Sequence, residues 1–199
     1  PRPISSAASD VYKRQGRTVS GDAPIAELCW NDVASLDVGS WKGAQFSDQR
    51  ILRVKDLLDW QKAATDAPSI IWEMKLYPNH SQTRTFNAAQ AVSRELYGLD
   101  HTGHMLTSFN RMFITYVRPL LPKMPMALSS VEFPKDWKTF CQVHKLEALH
   151  LDGTRLTEKQ AKLVKDAGLI LRCYTINDPA LAERLFDWGV DTIFTDSPD

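Results

Sequence analysis

A chain of 199 residues is long enough to bury one substantial core and too short to promise two. Its 43% hydrophobic, 10% aromatic and 24% charged residues are those of an ordinary globular protein. Lys plus Arg (24) balances Asp plus Glu (24), so no basic field points to nucleic acid or an anionic membrane surface, and no apolar run reaches the length of a bilayer span.

The three cysteines, Cys29, Cys141 and Cys173, are odd in number and far apart. That argues against a disulfide framework and a structural zinc site, and fits a reducing compartment. With no apolar signal core at the N-terminus, a cytoplasmic location is expected.

Residues 1–15 are rich in Ser, Ala, Pro and basic side chains and have no period that buries a face. They are read as a non-native or disordered leader, so the natural chain is expected to have been cut upstream of Gly16. From Gly16 to about residue 50 the turn formers Gly21, Asp22, Pro24, Gly39, Ser40 and Gly43 mark a loop-rich excursion with a short helix over 31–35. Val54, Leu57 and Leu58 fall at helical spacing and predict a helix over 54–64.

An alternation follows. Strands are predicted over 70–75, 104–109, 126–130, 148–151, 170–176 and 192–195. Between them lie helices over 83–97, 111–120 and 134–144, one capped by Thr157 with Gln160 three residues on and stopped by Gly168, and one capped by Asp178 with Pro179 at its first position and Gly189 at its end. Six βα repeats with short connections imply parallel strands and right-handed crossovers. A doubly wound sheet and a (β/α) barrel both satisfy that pattern.

In the first strand, Ile70-Ile71-Trp72-Glu73-Met74-Lys75-Leu76, a period of two places Glu73 and Lys75 on one face and Trp72 and Met74 on the other. By itself this pair reads equally well as a functional carboxylate and amine or as an idle ion pair.

Several segments, taken in order, resemble the glycerophosphodiester phosphodiesterases. The sequence from Ala167 to Asp178 and then Gly189-Val190-Asp191-Thr192-Ile193-Phe194-Thr195-Asp196-Ser197-Pro198 resembles that family's Trp-Thr-Val-Asn strand and terminal Gly-Val-Asp-x-Ile-x-Thr-Asp-x-Pro, with Tyr174 where the family usually has Trp. Arg17-Thr18 with Gly21, Leu36-Asp37-Val38-Gly39-Ser40-Trp41, Trp72-Glu73-Met74-Lys75 and Thr107-Ser108-Phe109 resemble its Arg-Thr-Thr-x-Gly, Leu-Asp-Ala-Gly-Ser-Trp, Glu-x-Lys and Ser-Ser-Phe segments.

The resemblance implies an α/β fold of the (β/α)8 TIM-barrel type, incomplete: the last six βα units plus a small capping insertion at about residues 16–50, within a partial domain over 16–199. It implies metal-dependent hydrolysis of glycerophosphodiesters to glycerol 3-phosphate and an alcohol. Glu73 would then be a ligand of Ca²⁺ or Mg²⁺, a role suited to a hard oxygen donor. Lys75 would contact the phosphate, Phe109 and Tyr174 would wall the glycerol, Asp196 would end the last strand at the mouth or cap the turn that follows, and Trp41 and Phe46 would close over the substrate or anchor their loop.

The family's His-Arg-Gly, Glu-x-Asp and His-Asp motifs are not in this sequence, and none of His80, His101, His104, His144 and His150 matches them. No catalytic residue is therefore assigned. The fragment is expected to be inactive, of low stability and without bound metal, its partner in the complete protein being a small-molecule glycerophosphodiester. The alternatives are a related barrel phosphodiesterase acting on phospholipids, and a catalytically dead glycerophosphate-binding barrel.

Overall fold

The computed structural model describes residues 29–76 and 80–197, and the chain divides into two compact units, Pro1–Pro68 and Ser69–Asp199. The leader over 1–15 and the Arg17-Thr18 and Gly21 loop lie outside the described residues.

The described part of the first unit contains α1 (Trp30–Val33), two 3₁₀ turns (Ser40–Lys42 and Ala44–Phe46) and α2 (Val54–Ala63). Its Leu-Asp-Val-Gly-Ser-Trp segment is a self-bonded turn. Asp37 accepts from the backbone N–H groups of Gly39 (2.8 Å) and Ser40 (2.9 Å) and from the Ser40 hydroxyl, and Trp41 Nε1 donates to the Val38 carbonyl at 3.0 Å. These donors, the Ser40 hydroxyl first, draw the Asp37 carboxyl down to about 2. Any side chain at position 39 would run into the carbonyl of Phe46, which accounts for the glycine there.

The second unit alternates strand and helix: β1 (Ile70–Glu73), α3 (Gln82–Leu96), β2 (His104–Ser108), α4 (Arg111–Val117), β3 (Met126–Ser130), α5 (Trp137–His144), β4 (Ala148–Asp152), α6 (Glu158–Asp166), β5 (Ile170–Tyr174), α7 (Pro179–Asp187) and β6 (Thr192–Ile193). The capping signals act as their chemistry requires. Thr157 Oγ1 accepts from Gln160 N–H while the Gln160 side chain accepts from Thr157 N–H at 3.0 Å, and Asp178 accepts from Ala180 N–H at 3.0 Å. Gly168 and Gly189 close α6 and α7 at φ +75° and +87°, a backbone that favours glycine.

All five strand pairings are parallel, and the strands stand in sequence order from β1 to β6. A doubly wound sheet reverses its order at a switch point. Here there is no reversal, so the winding is that of a barrel. The sheet also curls: Arg172 Nη1 on β5 lies 2.9 Å from Met105 Sδ on β2, whereas strands three places apart in a flat sheet would be separated by about 14 Å. The result is a curled half-barrel of α/β type.

The convex face of the sheet is aliphatic. Leu106, Leu128, Leu149, Leu151, Leu171 and Cys173 are buried there, and the helices contribute the buried Phe113, Ile114, Val117, Ala161, Val164 and Leu185. Burial raises the Cys173 thiol to about 12 and the Cys141 thiol to about 11, so both behave as small apolar residues.

Candidate active site

The register of the five ladders fixes which side chains share the concave face. Ile71 and Glu73 stand with Met105 and Thr107, then with Ala127 and Ser129, then with Ala148, His150 and Asp152, and then with Ile170, Arg172 and Tyr174. The amino-terminal end of this face is apolar: Met105, Ala127 and Ala148 form one cluster with Ile71 and Ile170 against it. Polar groups come next. Thr107 Oγ1 lies 2.8 Å from Ser129 Oγ, and Arg172 Nη1 lies 3.2 Å from His150 Nε2. At the carboxyl ends stand Glu73, Asp152 and Tyr174, the end at which barrels of this winding collect their sites.

Glu73 is the last residue of β1, and Lys75 lies just beyond the strand, its Nζ 3.9 Å from Glu73 Oε2. The strand end around them is well anchored. Met74 N–H donates to the Thr107 carbonyl at 2.8 Å and the Ser108 hydroxyl donates to the Met74 carbonyl at 2.6 Å. Ser108 Oγ also accepts from Asn110 N–H at 3.0 Å, and Asn110 in turn caps α4 through Phe113 N–H. On the other face, Trp72 Nε1 donates to His104 Nδ1 at 3.0 Å. The Thr107-Ser108-Phe109 segment thus holds the backbone that presents Glu73.

Phe109 follows β2 and meets Tyr174 of β5 edge to face, with ring centroids 5.5 Å apart. Two aromatic side chains from non-adjacent strands therefore form one wall. The Tyr174 hydroxyl is buried and hydrogen-bonded to nothing among the described residues. Burial raises its pKa, and the carboxylates of Asp152 and Glu73 push in the same direction.

Asp152 was not singled out in the sequence. Its Oδ1 accepts from the N–H (2.9 Å) and hydroxyl (2.6 Å) of Thr154, while Oδ2 lies 3.6 Å from Arg155 Nε. Only the register, which pairs Asp152 with Tyr174, brings it to the site.

The remaining residues have structural partners. Asp196 N–H donates to Asn177 Oδ1 at 2.8 Å, and Asn177 Nδ2 donates back to Asp196 Oδ2 at 3.3 Å. His150, 1% exposed, is held down to about 3 by burial and by the neighbouring Arg172 guanidinium. His144 lies against Phe140 with ring centroids 4.3 Å apart. Trp41 and Phe46 belong to the first unit, Trp41 exposed beneath Lys42 and Phe46 in its second 3₁₀ turn.

A hard divalent cation needs several oxygen donors. Among the described residues no three His, Cys, Asp or Glu side chains stand close enough to hold an ion. No helix among the described residues is long and apolar enough to cross a membrane.

Comparisons with known proteins follow the same lines. The chain is 24% identical to the Bacillus subtilis protein YhdW over 194 residues, covering 94% of this chain and 75% of that one. It is 24% identical to a Bacillus subtilis glycerophosphodiester phosphodiesterase over 197 residues, covering 92% of this chain and 66% of that one. Its fold matches that of an Oleispira antarctica phosphodiesterase, solved in complex with the product sn-glycerol 3-phosphate, at a TM-score of 0.79 and 22% identity, over 93% of this chain and 73% of that one. The sequence model of the Glycerophosphoryl diester phosphodiesterase family matches residues 11–199, and the chain belongs to that family.

Proposed function

We propose that the protein to which this chain belongs hydrolyses glycerophosphodiesters to glycerol 3-phosphate and an alcohol. The observation that carries this reading is the family match over residues 11–199. The grouping of Glu73, Asp152, Phe109 and Tyr174 at the carboxyl ends of the strands, with Lys75 beside Glu73, supports it, as does the glycerol 3-phosphate held by a protein of the same fold.

In this reading Lys75 supplies a point charge that attracts the phosphodiester anion. Phe109 and Tyr174 offer ring edges to the carbon chain of the glycerol and exclude water from one side of it. Glu73 is an oxygen donor for Ca²⁺ or Mg²⁺, an ion that neutralises phosphoryl charge when bound. Further oxygen donors would be needed to complete such a site, and no proton-transfer residue is assigned. The three free thiols support a reducing, cytosolic setting.

Release of glycerol 3-phosphate from glycerophosphocholine by the complete protein tests the reading. Glu73→Gln is expected to lower kcat/KM by about 10²–10³-fold, the cost of losing one electrostatic stabiliser of the transition state. Unchanged turnover in that variant would remove Glu73 from the site.

A second reading, a glycerophosphate-binding barrel without turnover, is favoured by one observation: none of the five histidines matches the family's acid–base motifs. It predicts that this chain binds sn-glycerol 3-phosphate in calorimetry while releasing none from glycerophosphocholine.

A further inference from the structure

Among the described residues the buried Tyr174 hydroxyl has no hydrogen-bond partner, a cost native structures seldom accept without a use for the group. The ring cannot swing away to find a partner, because it is packed edge-on against Phe109. What stands beside it is set by the sheet. Asp152 and Tyr174 are register partners at the ends of β4 and β5, with both side chains on the concave face, and adjacent strands lie about 4.8 Å apart.

The Asp152 carboxylate is itself only half used. Thr154 occupies Oδ1 twice, which fixes the carboxyl plane, while among the described residues the cation beside Oδ2 is Arg155, its Nε at 3.6 Å, too long for a hydrogen bond. The strand ends therefore present one unpaired hydroxyl donor and one carboxylate oxygen with acceptor capacity to spare.

The chemistry of this pair selects its ligand. A phosphoryl oxygen could accept from Tyr174, but it would meet the negative charges of Asp152 and, on the same face, Glu73. An ammonium group would suit the carboxylate and leave the Tyr174 proton without an acceptor. An alcohol satisfies both at once, accepting from Tyr174 and donating to Asp152.

We propose that Tyr174 and Asp152 form a hydroxyl-recognition pair that holds a free hydroxyl of the glycerol moiety and so selects glycerol esters over their deoxy analogues. This rests on the glycerophosphodiester reading above. The pair acts in binding and specificity, and no bond is made or broken at it.

Calorimetric titration of the chain with sn-glycerol 3-phosphate and with 3-hydroxypropyl phosphate, which lacks the secondary hydroxyl, and with propane-1,2-diol 1-phosphate, which lacks the primary one, tests the pair. The chain is expected to bind glycerol 3-phosphate about tenfold more tightly than one of the two deoxy compounds, the worth of one hydrogen bond. Tyr174→Phe keeps the aromatic wall and should erase that preference by weakening glycerol 3-phosphate binding about tenfold, with a melting temperature no lower than the parent's. Asp152→Asn can keep the Oδ1 contacts with Thr154 while replacing the acceptor by a donor, and should erase the preference too. Equal binding of all three compounds by the parent overturns the pair and leaves the glycerophosphodiester reading standing. A preference that survives in Tyr174→Phe also overturns it. If none of the three binds, the pair is overturned, while release of glycerol 3-phosphate from glycerophosphocholine still decides the glycerophosphodiester reading by itself.

Discussion

Asn177 Oδ1 accepts from both the Thr195 hydroxyl (2.9 Å) and Asp196 N–H (2.8 Å), fastening the segment after β5 to the segment after β6. Phe194 N–H donates to the Cys173 carbonyl and Ile176 N–H to the Phe194 carbonyl, each at 2.8 Å, so the two segments stay paired beyond the short β6. The Thr-Ile-Asn and Thr-Asp parts of the terminal motif are thus halves of one clasp. Asn177→Ala removes two acceptor contacts and one donor, and should cost about 1–3 kcal/mol of stability. Urea denaturation of the variant checks it, and an unchanged midpoint would mean that the clasp bears no load.

His150 gives the fold an acid limit. It is buried and neutral, with its proton affinity held down to about 3 against an ordinary 6.5. Above pH 6.5 the imidazole is neutral in both folded and unfolded chains, and its contribution to stability is complete. Below 6.5 the unfolded chain takes up a proton that the folded chain refuses until about pH 3, so stability falls as pH falls through that window, by about 1.4 kcal/mol per unit. His150→Gln should flatten this slope in denaturation series run from pH 7 to pH 4. Parallel slopes for parent and variant would refute it.

Gly153, directly after β4, is glycine for lack of room. A methyl there would stand 2.7 Å from Ile176 Cδ1, 2.9 Å from Leu185 Cδ1 and 3.1 Å from Cys173 Cβ. Gly153→Ala should lose about 1–3 kcal/mol by overpacking, and pairing it with Leu185→Ala should give back part of that loss. A double-mutant cycle with no coupling would contradict the crowding.

Ser108 is wholly buried and spends its hydroxyl on Met74 and Asn110. Ser108→Ala leaves a carbonyl and an amide unpaired beside Glu73, at a cost of about 1–3 kcal/mol. Under the proposed hydrolysis it should also lower turnover, because it loosens the backbone that carries Glu73 and Lys75. A variant destabilised but fully active would separate the two effects.

Much of this architecture was legible in the sequence. All six strands were located, and the capping residues Thr157, Asp178, Gly168 and Gly189 mark real helix ends. Strand ends were less legible. β1 stops at Glu73 and β2 at Ser108, so Lys75 and Phe109 lie on the turns beyond them, because backbone pairing fades where the chain leaves the sheet to enter a helix. Periodicity left a doubly wound sheet and a barrel equally open, and the monotonic strand order decides between them.

The site divides in the same way. Glu73 and Lys75 stand out as charges in an apolar run, whereas Asp152, two residues before a Thr in a turn-rich segment, looks like an ordinary turn carboxylate and does form that turn. Its second position, beside Tyr174, follows from the register between β4 and β5, which no local pattern encodes. The unpaired Tyr174 hydroxyl was equally hidden, since a missing partner becomes visible only when all neighbours are in place.

The unbroken strand order also bears on how this sheet comes into being. Each strand bonds to the one synthesised just before it, so every pairing closes a loop no longer than a single βα unit. Such contacts are local for a parallel sheet and cheap in closure entropy. The sheet can therefore grow during translation in the direction the ribosome reads, each strand after β1 finding the edge of its predecessor already built.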